Sequence, residues 1–281
     1  MTRFFFYGML RDSLSPSAKL GLRRVADWLL TPVGSIGGVR TLDRTVALTF
    51  DDGPHPEMTA RVLDVLARQH VLATFFLLVE SAEAHPEIVR RMVTEGHEVG
   101  LHGIDHTALT TLPMGEVRRR LRQGRRRLEA VTGTTVRWFR PAYGAQSLRI
   151  YLEVRRAGMD VVVWSANPKD YAYSDAAEVA ARTTRLVRPG GIILLHDANG
   201  EAAGNGFSPP RIDCAATVNA LLEGLESQAY DVTTVSKLLE VASARRLAWF
   251  RPDKSPVPLG ERADDCPARS TMRPWASSDR L

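Results

Sequence analysis

Two adjacent carboxylates end an apolar, β-branched run near residue 50. The run 46–50 (VALTF) predicts a buried strand, and Asp51 and Asp52 follow it directly, before a Gly-Pro turn. Two like charges side by side repel each other, so their placement at a strand end indicates a nearby cation that offsets the repulsion. The other ligands of that cation should therefore lie elsewhere in the chain.

Apolar strands and amphipathic helices alternate along most of the chain. We predict seven or so strands with intervening helices, which is typical of a parallel βα architecture. Periodicity alone does not decide whether the sheet closes, but in a βα barrel the chemistry lies at the C-terminal ends of the strands. The predicted strands are 46–50, 73–78, 98–101, 137–139, 160–164, 192–195 and 230–233. The predicted helices are 57–69, 86–95, 115–131, 147–157, 175–187 and 214–227.

Length and composition predict one catalytic domain with short extensions. With 281 residues, of which 44% are hydrophobic and 25% charged, the chain can bury one sizeable core. We place the domain at residues 44–240, after an N-terminal arm at 1–43. From about residue 244 the pattern dissolves into Pro, Ser, Asp and Arg, so a tail at 241–281 is predicted to be poorly ordered.

The basic charge of the chain is weak evidence for a partner. The net charge of +5 comes almost wholly from arginine, and no aromatic interleaving or nucleic-acid motif accompanies it. We therefore predict no nucleic-acid partner. The arginine-rich helix around 118–127 is interpreted as a solvated face in preference to a patch for an anionic lipid or polymer.

The ends of the chain and its cysteines bear on location. Cys214 and Cys266 are too few and too far apart for a disulfide framework, which is compatible with a reduced compartment. The apolar run 4–10 is too short to span a bilayer and has no clear cleavage site after it, so we expect a cytoplasmic protein. The amphipathic segment 20–30 is expected to pack on the domain, with peripheral contact at the inner face of the membrane as the alternative. The oligomeric state is left open.

A pair of histidines supplies candidate ligands for the cation. His102 and His106 follow the predicted strand 98–101, and their i, i+4 spacing lets both imidazoles face one point if this turn is helical. Asp52 is the natural third ligand. A His-His-Asp set leaves coordination positions open for water and substrate, as a catalytic metal requires.

Two further strand ends carry groups suited to acid–base chemistry. Arg140 emerges before a proline-stiffened turn, where it can pair with Asp51 and keep that carboxylate ionised. His196 ends the predicted strand 192–195, and with a carboxylate on its other nitrogen it would serve as a general acid. The alternative for His196 taken alone is a core histidine with satisfied hydrogen bonds.

Five motifs together resemble the polysaccharide deacetylases that share the NodB homology domain, carbohydrate esterase family 4. They are TFDDGP at 49–54, HGIDH at 102–106, RPAYG at 140–144, NPKDY at 167–171 and LLHD at 194–197. The resemblance covers about residues 44–239 and implies an α/β fold, a distorted (β/α)7 barrel. It also implies a metal-dependent hydrolase that removes N-acetyl groups from amino sugars in an oligosaccharide, a polysaccharide or a glycolipid precursor.

The resemblance implies a role for each charged residue of the site. Asp51 would be the general base, positioned by Arg140. Asp52, His102 and His106 would hold a divalent metal, zinc first, with cobalt, manganese and nickel as alternatives.

On the leaving-group side, the resemblance implies that His196 protonates the departing amine and that Asp170 orients and tunes it. A backbone N–H near Tyr143 would share the oxyanion. The residues expected to contact substrate are Tyr143, Tyr171, Leu194 and Trp164.

Several positions depart from the family pattern. Gly103 stands where Ser or Thr is usual, which removes a hydroxyl that braces the loop between the metal ligands; we hypothesise that Asp105 substitutes. Tyr171 replaces Trp, Ala142 replaces a second Pro, and Leu101 stands where Asn is common. No reacting group is lost, so these changes bear on pocket shape and substrate preference. The alternatives are an O-acetyl esterase or small-molecule amidase and, less favoured, a non-catalytic glycan-binding module.

Overall fold

The computed structural model describes residues 33–199 and 212–250. The amphipathic segment 20–30 and the run 4–10, on which the predictions of location and membrane contact rest, lie outside the described residues. No helix in the described ranges is both long and apolar enough to cross a bilayer.

The strands and helices follow the predicted alternation. The strands are β1 (Ser35–Val39), β2 (Thr45–Asp51), β3 (Thr74–Leu78), β4 (Glu98–Gly103), β5 (Trp138–Phe139), β6 (Asp160–Val161), β7 (Ile192–His196), β8 (Asp231–Thr233) and β9 (Ala244–Leu247). The helices are α1 (Met58–Arg68), α2 (Val79–Ala84), α3 (Pro86–Thr94), α4 (Met114–Thr132), α5 (Leu148–Arg156), α6 (Ala176–Leu186), α7 (Cys214–Glu226) and α8 (Val235–Val241).

Seven of these strands form one parallel sheet. The order is β6-β5-β4-β3-β2-β7, with β8 beside the first residues of β2 and β3 beside its last. The segment after β6 closes the ring, because Ala166 bridges Ile193 of β7 in parallel and its carbonyl accepts the Leu194 N–H at 2.9 Å. The predicted parallel α/β fold is confirmed.

The alternation of side chains along β2 explains how the fold delivers a carboxylate to the site. Val46, Leu48 and Phe50 belong to the large core between sheet and helices, where Phe50 stacks on Phe75 at 4.9 Å. Residues 47, 49 and 51 point the other way, into the ring, because successive side chains of a strand alternate between faces. Asp51 is thus the last inward-facing residue of β2.

Apolar side chains fill the ring at the N-terminal ends of the strands. Ala47, Val162 and Ile192 form a smaller buried cluster with Ile36 of β1 and Leu238 of α8. Among the described residues, this cluster fills the N-terminal end of the barrel, opposite the polar inward residues at the C-terminal ends of the strands.

The arginines of α4 face acidic side chains of the protein's own surface. Arg119 pairs with Glu116 of the same helix, and Arg127 pairs with Glu83 of α2 at 2.6 Å. These exposed pairs fit the interpretation of α4 as a solvated face.

The predicted arm at 1–43 and the predicted tail at 241–281 each include a strand of the fold. β1 lies inside the predicted arm and β9 inside the predicted tail, and the two strands pair antiparallel. β9 was missed because its sequence, ARRL, lacks an apolar alternation. Its arginines are instead paired at long range: Arg245 donates to the Gly37 carbonyl at 2.7 Å, and Arg246 binds Asp160. The prediction of a poorly ordered tail is wrong for residues 244–250.

If β9 belongs to the cooperative fold, truncating its buried side chain will destabilise the protein. Leu247 is 7% exposed, and a Cβ at Gly37 would meet its Cδ1 at 2.5 Å. We expect Leu247→Ala to lower the free energy of unfolding by about 2–5 kcal/mol, measured by urea denaturation. The control is Leu42→Ala, at a side chain 94% exposed, which should change it by less than about 0.5 kcal/mol. Equal values for the two variants would show that β9 is not part of the fold.

Candidate active site

The end of β2 presents two consecutive carboxylates to one place. In an extended strand Asp51 and Asp52 would point to opposite faces. Asp52 instead has a φ of 78°, in the left-handed region, so the chain turns at this residue. Gly53 follows against the side chain of Asp197, whose Oδ2 would lie 2.4 Å from any Cβ at position 53. The turn brings Asp52 to the metal ligands and leaves Asp51 inside the ring.

Asp52, His102 and His106 form a cluster suited to a metal ion. Their ligand atoms lie within 4.8 Å of one another. Asp52 Oδ1 is 3.2 Å from His102 Nε2 and 3.3 Å from His106 Nε2. Ligand atoms in tetrahedral zinc sites are bonded at about 2.0–2.1 Å, which separates them by roughly 3.3 Å. The three residues therefore fit a transition metal with further positions open.

The two histidines meet without a helical turn, contrary to the condition attached to their spacing. His102 lies in β4, whereas His106 lies in the loop that folds back after it; their ring centroids are 5.3 Å apart. Asp105 braces this loop by accepting from the Thr107 amide at 3.0 Å and by pairing with Arg120 of α4. These contacts support the hypothesis that Asp105 replaces the missing hydroxyl at position 103.

The protonation of the cluster suits metal binding. His102 Nδ1 lies 2.9 Å from the Arg140 carbonyl, which fixes the proton on Nδ1 and frees the Nε2 lone pair. Burial lowers the pKa of His106 despite the opposing effect of Asp52. Burial raises the pKa of Asp52, but His106 and His102 outweigh it and hold that pKa far below its usual range. Neutral imidazoles and an ionised carboxylate are the ligand forms a metal takes.

Arg140 pairs with Asp51, as the sequence predicted. Its side chain is 0% exposed, and its Nη1 donates to Asp51 Oδ1 at 2.7 Å and to Thr49 Oγ1 at 2.8 Å. The guanidinium also lies 4.0 Å over the Phe76 ring. Burial lowers the pKa of Arg140, and the Asp51 carboxylate opposes that shift. Thr49 was missed as a site residue, although its place two residues before Asp51 on the same strand face was a readable signal.

His196 lies beside Asp51, because the two residues are Cα partners on the paired strands β7 and β2. The Asp170 carboxylate makes two hydrogen bonds to His196, one with its Nδ1 at 2.8 Å and one with its backbone amide at 2.7 Å. Burial lowers the pKa of His196, but the Asp170 carboxylate outweighs it and raises the pKa to about 10. Asp197, the adjacent carboxyl, instead accepts from Thr59 at 2.5 Å. His196 is thus held as an imidazolium beside a carboxylate and not as a neutral core histidine.

The residues expected to contact substrate fall into two groups. Tyr143 and Tyr171 lie beside the functional histidines, with ring centroids 4.2 Å from His106 and 5.9 Å from His196 respectively. Leu194 is the inward-facing residue of β7 before His196 and is buried. The roles of these three residues, and of the amide near Tyr143, stay predictions.

Trp164 does not fit a substrate contact. Its side chain is 2% exposed and packs edge-on against Trp249, with ring centroids 5.3 Å apart. Trp164 was predicted to contact substrate, but its ring is covered by Trp249. Trp164 instead packs inside the protein, with the Arg140 guanidinium 5.7 Å from the centre of its ring.

The pairing of His196 with Asp170 predicts a measurable titration. The pKa of His196 is raised to about 10, so the imidazolium persists through neutral pH and is lost as the pH rises past that value. We expect Asp170→Asn to move the midpoint down toward the ordinary 6.5, followed in the metal-free protein by the ring Cε1–H NMR signal. That signal is identified by its absence in His196→Gln.

Asp197→Asn is the matched control for this titration, because it neutralises the neighbouring carboxyl that does not touch the imidazole. It should leave the His196 midpoint near that of the unaltered protein. A larger shift of the His196 midpoint in Asp197→Asn than in Asp170→Asn would show that Asp170 is not the carboxylate that raises the pKa of His196.

The sequence of this chain is similar to those of known deacetylases. The family model described as polysaccharide deacetylase matches residues 38–162. A chitooligosaccharide deacetylase of Bradyrhizobium sp. (strain ANU 289) is 32% identical over 208 residues, which are 73% of this chain and 93% of that protein. The peptidoglycan-N-acetylglucosamine deacetylase PgdA of Listeria monocytogenes is 33% identical over 196 residues. This chain matches 39% of the length of PgdA, and the match covers 70% of this chain.

Similar solved structures include a mutant of BA3943 from Bacillus anthracis, described as a CE4 family pseudoenzyme with restored enzymatic activity. It has a TM-score of 0.63 and 27% sequence identity, and the match covers 70% of this chain and 68% of that one. The agreement in sequence with the Bradyrhizobium protein extends over nearly the whole of that relative. The chain therefore belongs to the polysaccharide deacetylase family, as its five motifs predicted.

Proposed function

We propose that the protein is a metal-dependent hydrolase that removes N-acetyl groups from the amino sugars of an oligosaccharide, a polysaccharide or a glycolipid precursor. The observation that carries this proposal is the Asp-His-His cluster, flanked by a carboxylate held by Arg140 and an imidazolium held by Asp170. The names of its relatives, deacetylases of peptidoglycan N-acetylglucosamine and of chitooligosaccharides, support an acetylated carbohydrate as substrate.

Asp52, His102 and His106 would hold a divalent metal, which we propose to be zinc. When bound, such an ion polarises the acetyl carbonyl and lowers the pKa of water. Both imidazoles present Nε2 to the ion, and the His102 ring is fixed by the Arg140 carbonyl.

Asp51 would act as the general base. Its Oδ1 is engaged by Arg140, so its Oδ2 is the oxygen that takes the proton from the attacking water. Oδ2 lies 3.9 Å from His102 Nδ1, at the inner side of the metal cluster. The hydrogen bond from Arg140 fixes the orientation of the carboxylate, so the base is in place before substrate arrives.

His196 would act as the general acid. As the new carbon–oxygen bond forms and the carbon–nitrogen bond breaks, the imidazolium gives its proton to the departing nitrogen. An amine cannot leave readily as an anion, so an acid that is charged at neutral pH suits an amide substrate better than an ester. Asp170 orients the ring and stabilises its charge until the proton leaves.

The direct test is release of acetate from a panel of N-acetylated chito-oligosaccharides, O-acetylated sugars and small cyclic amides. We expect acetate and free amine in equal amounts from the N-acetylated sugars, and loss of release on chelation. Acetate without amine would indicate an O-acetyl esterase, and turnover of small amides alone would indicate an amidase. Glycan binding without any release would indicate a non-catalytic module and defeat the proposal.

Substitutions of the two adjacent carboxylates should impair the protein in different ways. Asp52→Ala removes a ligand, so we expect bound zinc, measured by elemental analysis, to fall far below one per chain. Asp51→Asn keeps the ligands, so zinc should stay near one per chain while acetate release falls by about 10²–10⁴-fold. If both variants lost zinc equally, the division of roles would be wrong.

A further inference from the structure

We propose that Trp249, in the segment after β9, is a positioning residue that holds the loop 140–144 in its working conformation. The kinetic part of this inference rests on the proposed deacetylase function; the structural part does not. The segment lies outside the residues that the family model matches and inside the predicted tail.

Trp249 reaches the loop directly, across 105 residues of chain. Its Nε1–H donates to the Gly144 carbonyl at 2.8 Å, and its ring packs edge-on against Trp164 at an interplanar angle of 68°. Trp249 is 7% exposed, so this hydrogen bond is shielded from water and its loss would leave the carbonyl without a replacement partner.

A second contact ties the residues just after the loop to the same segment. Gln146 Nε2 donates to the Trp249 carbonyl at 2.9 Å and to Ser35 Oγ of β1 at 2.5 Å. Ser35 is in turn the Cα partner of Leu247 in the β1–β9 pair. These hydrogen bonds therefore connect the loop to β1 and β9, the first and last strands of the described residues.

The loop has a conformation that needs such support. Tyr143 and Gly144 both have left-handed φ angles, 57° and 61°. A tyrosine in this region is strained and persists only where the surroundings determine it. At Gly144 a Cβ would meet the Trp164 ring at 2.9 Å and the Trp249 ring at 3.4 Å, so both indoles pack directly on the backbone there.

The loop begins and ends on functional groups that respond differently to a release of Trp249. Arg140, at its start, is held independently, because its amide donates to the Leu101 carbonyl and its Nε to the Val162 carbonyl. Tyr143 adjoins Gly144, whose carbonyl accepts the Trp249 hydrogen bond, and its ring packs against the His106 ring. Loss of the Trp249 bond should therefore move Tyr143 while the metal cluster and the Arg140–Asp51 pair stay in place.

The experiment compares two tryptophan variants of the zinc-loaded full chain. Trp249→Phe removes the Nε1–H donor and keeps an aromatic ring. Trp138→Phe is the matched control, because its Nε1 also donates to a partly buried oxygen, Glu98 Oε1 at 2.6 Å, at the opposite end of the barrel strands. The readouts are kcat and KM for acetate release, bound zinc, and hydrogen–deuterium exchange of residues 142–146.

We expect Trp249→Phe to lower kcat by about 10- to 100-fold, with KM and zinc content nearly unchanged and with faster exchange at 142–146. Trp138→Phe should keep kcat and the exchange at 142–146 while losing stability at the other end of the barrel. Gln146→Met, which removes the second fastening at similar volume, should change kcat and exchange in the same direction as Trp249→Phe.

Two results would overturn the proposal: unchanged kcat in Trp249→Phe, whether or not exchange is faster, or an equal fall in kcat for Trp138→Phe. Absence of acetate release from the unaltered protein would refute the proposed function instead. In that case, unchanged exchange at 142–146 in Trp249→Phe would still overturn the positioning role, and faster exchange would support its structural part.

Discussion

A single buried cation, the guanidinium of Arg140, fixes the arrangement of the site. An unpaired charge in the interior costs several kcal/mol, so Arg140 requires an ionised partner, and Asp51 is that partner. The backbone of the same residue accepts from His102 Nδ1, which sets the tautomer of a metal ligand. The proposed base and one proposed metal ligand are thus held by the guanidinium and the carbonyl of one residue. The Arg140 guanidinium itself lies over the Phe76 ring, and its Nε donates to the Val162 carbonyl.

On the side of the site where His196 lies, the charges of the buried pair are reversed. There a buried anion, Asp170, holds a cation, His196, through both the ring and the backbone amide. A cation beside the carboxylate favours a base that is ionised, and an anion beside the imidazole favours an acid that is protonated. Against the lowering effect of burial, the Asp170 carboxylate raises the pKa of His196 to about 10, so the proposed acid is charged at neutral pH.

Much of this site could be predicted because its residues lie at strand ends. Asp51, His102, Arg140 and His196 each end a parallel strand or lie within a residue of its end, and such ends meet at one edge. The pairing of Arg140 with Asp51 followed from that shared edge, whereas the complete burial of Arg140 was not predicted.

The remaining features depended on contacts that no local pattern records. The approach of His106 to His102 is set by a loop braced from α4 through Asp105, not by a helical turn. β9 is a strand because its arginines find partners far along the chain. Trp249 lies in the short apolar run 247–250, which falls within the predicted tail, and so the burial of Trp164 against it was not foreseen.

The central claim is that Asp52 binds the metal with His102 and His106 while Asp51 stays outside its coordination sphere, paired with Arg140. Anomalous X-ray diffraction at the zinc absorption edge, from crystals of the zinc-loaded protein, tests it most directly. The account predicts one peak at about 2.0–2.2 Å from a carboxylate oxygen of Asp52 and from both Nε2 atoms, with the Arg140–Asp51 pair intact. A peak bonded to Asp51, or no peak among these three ligands, would contradict it.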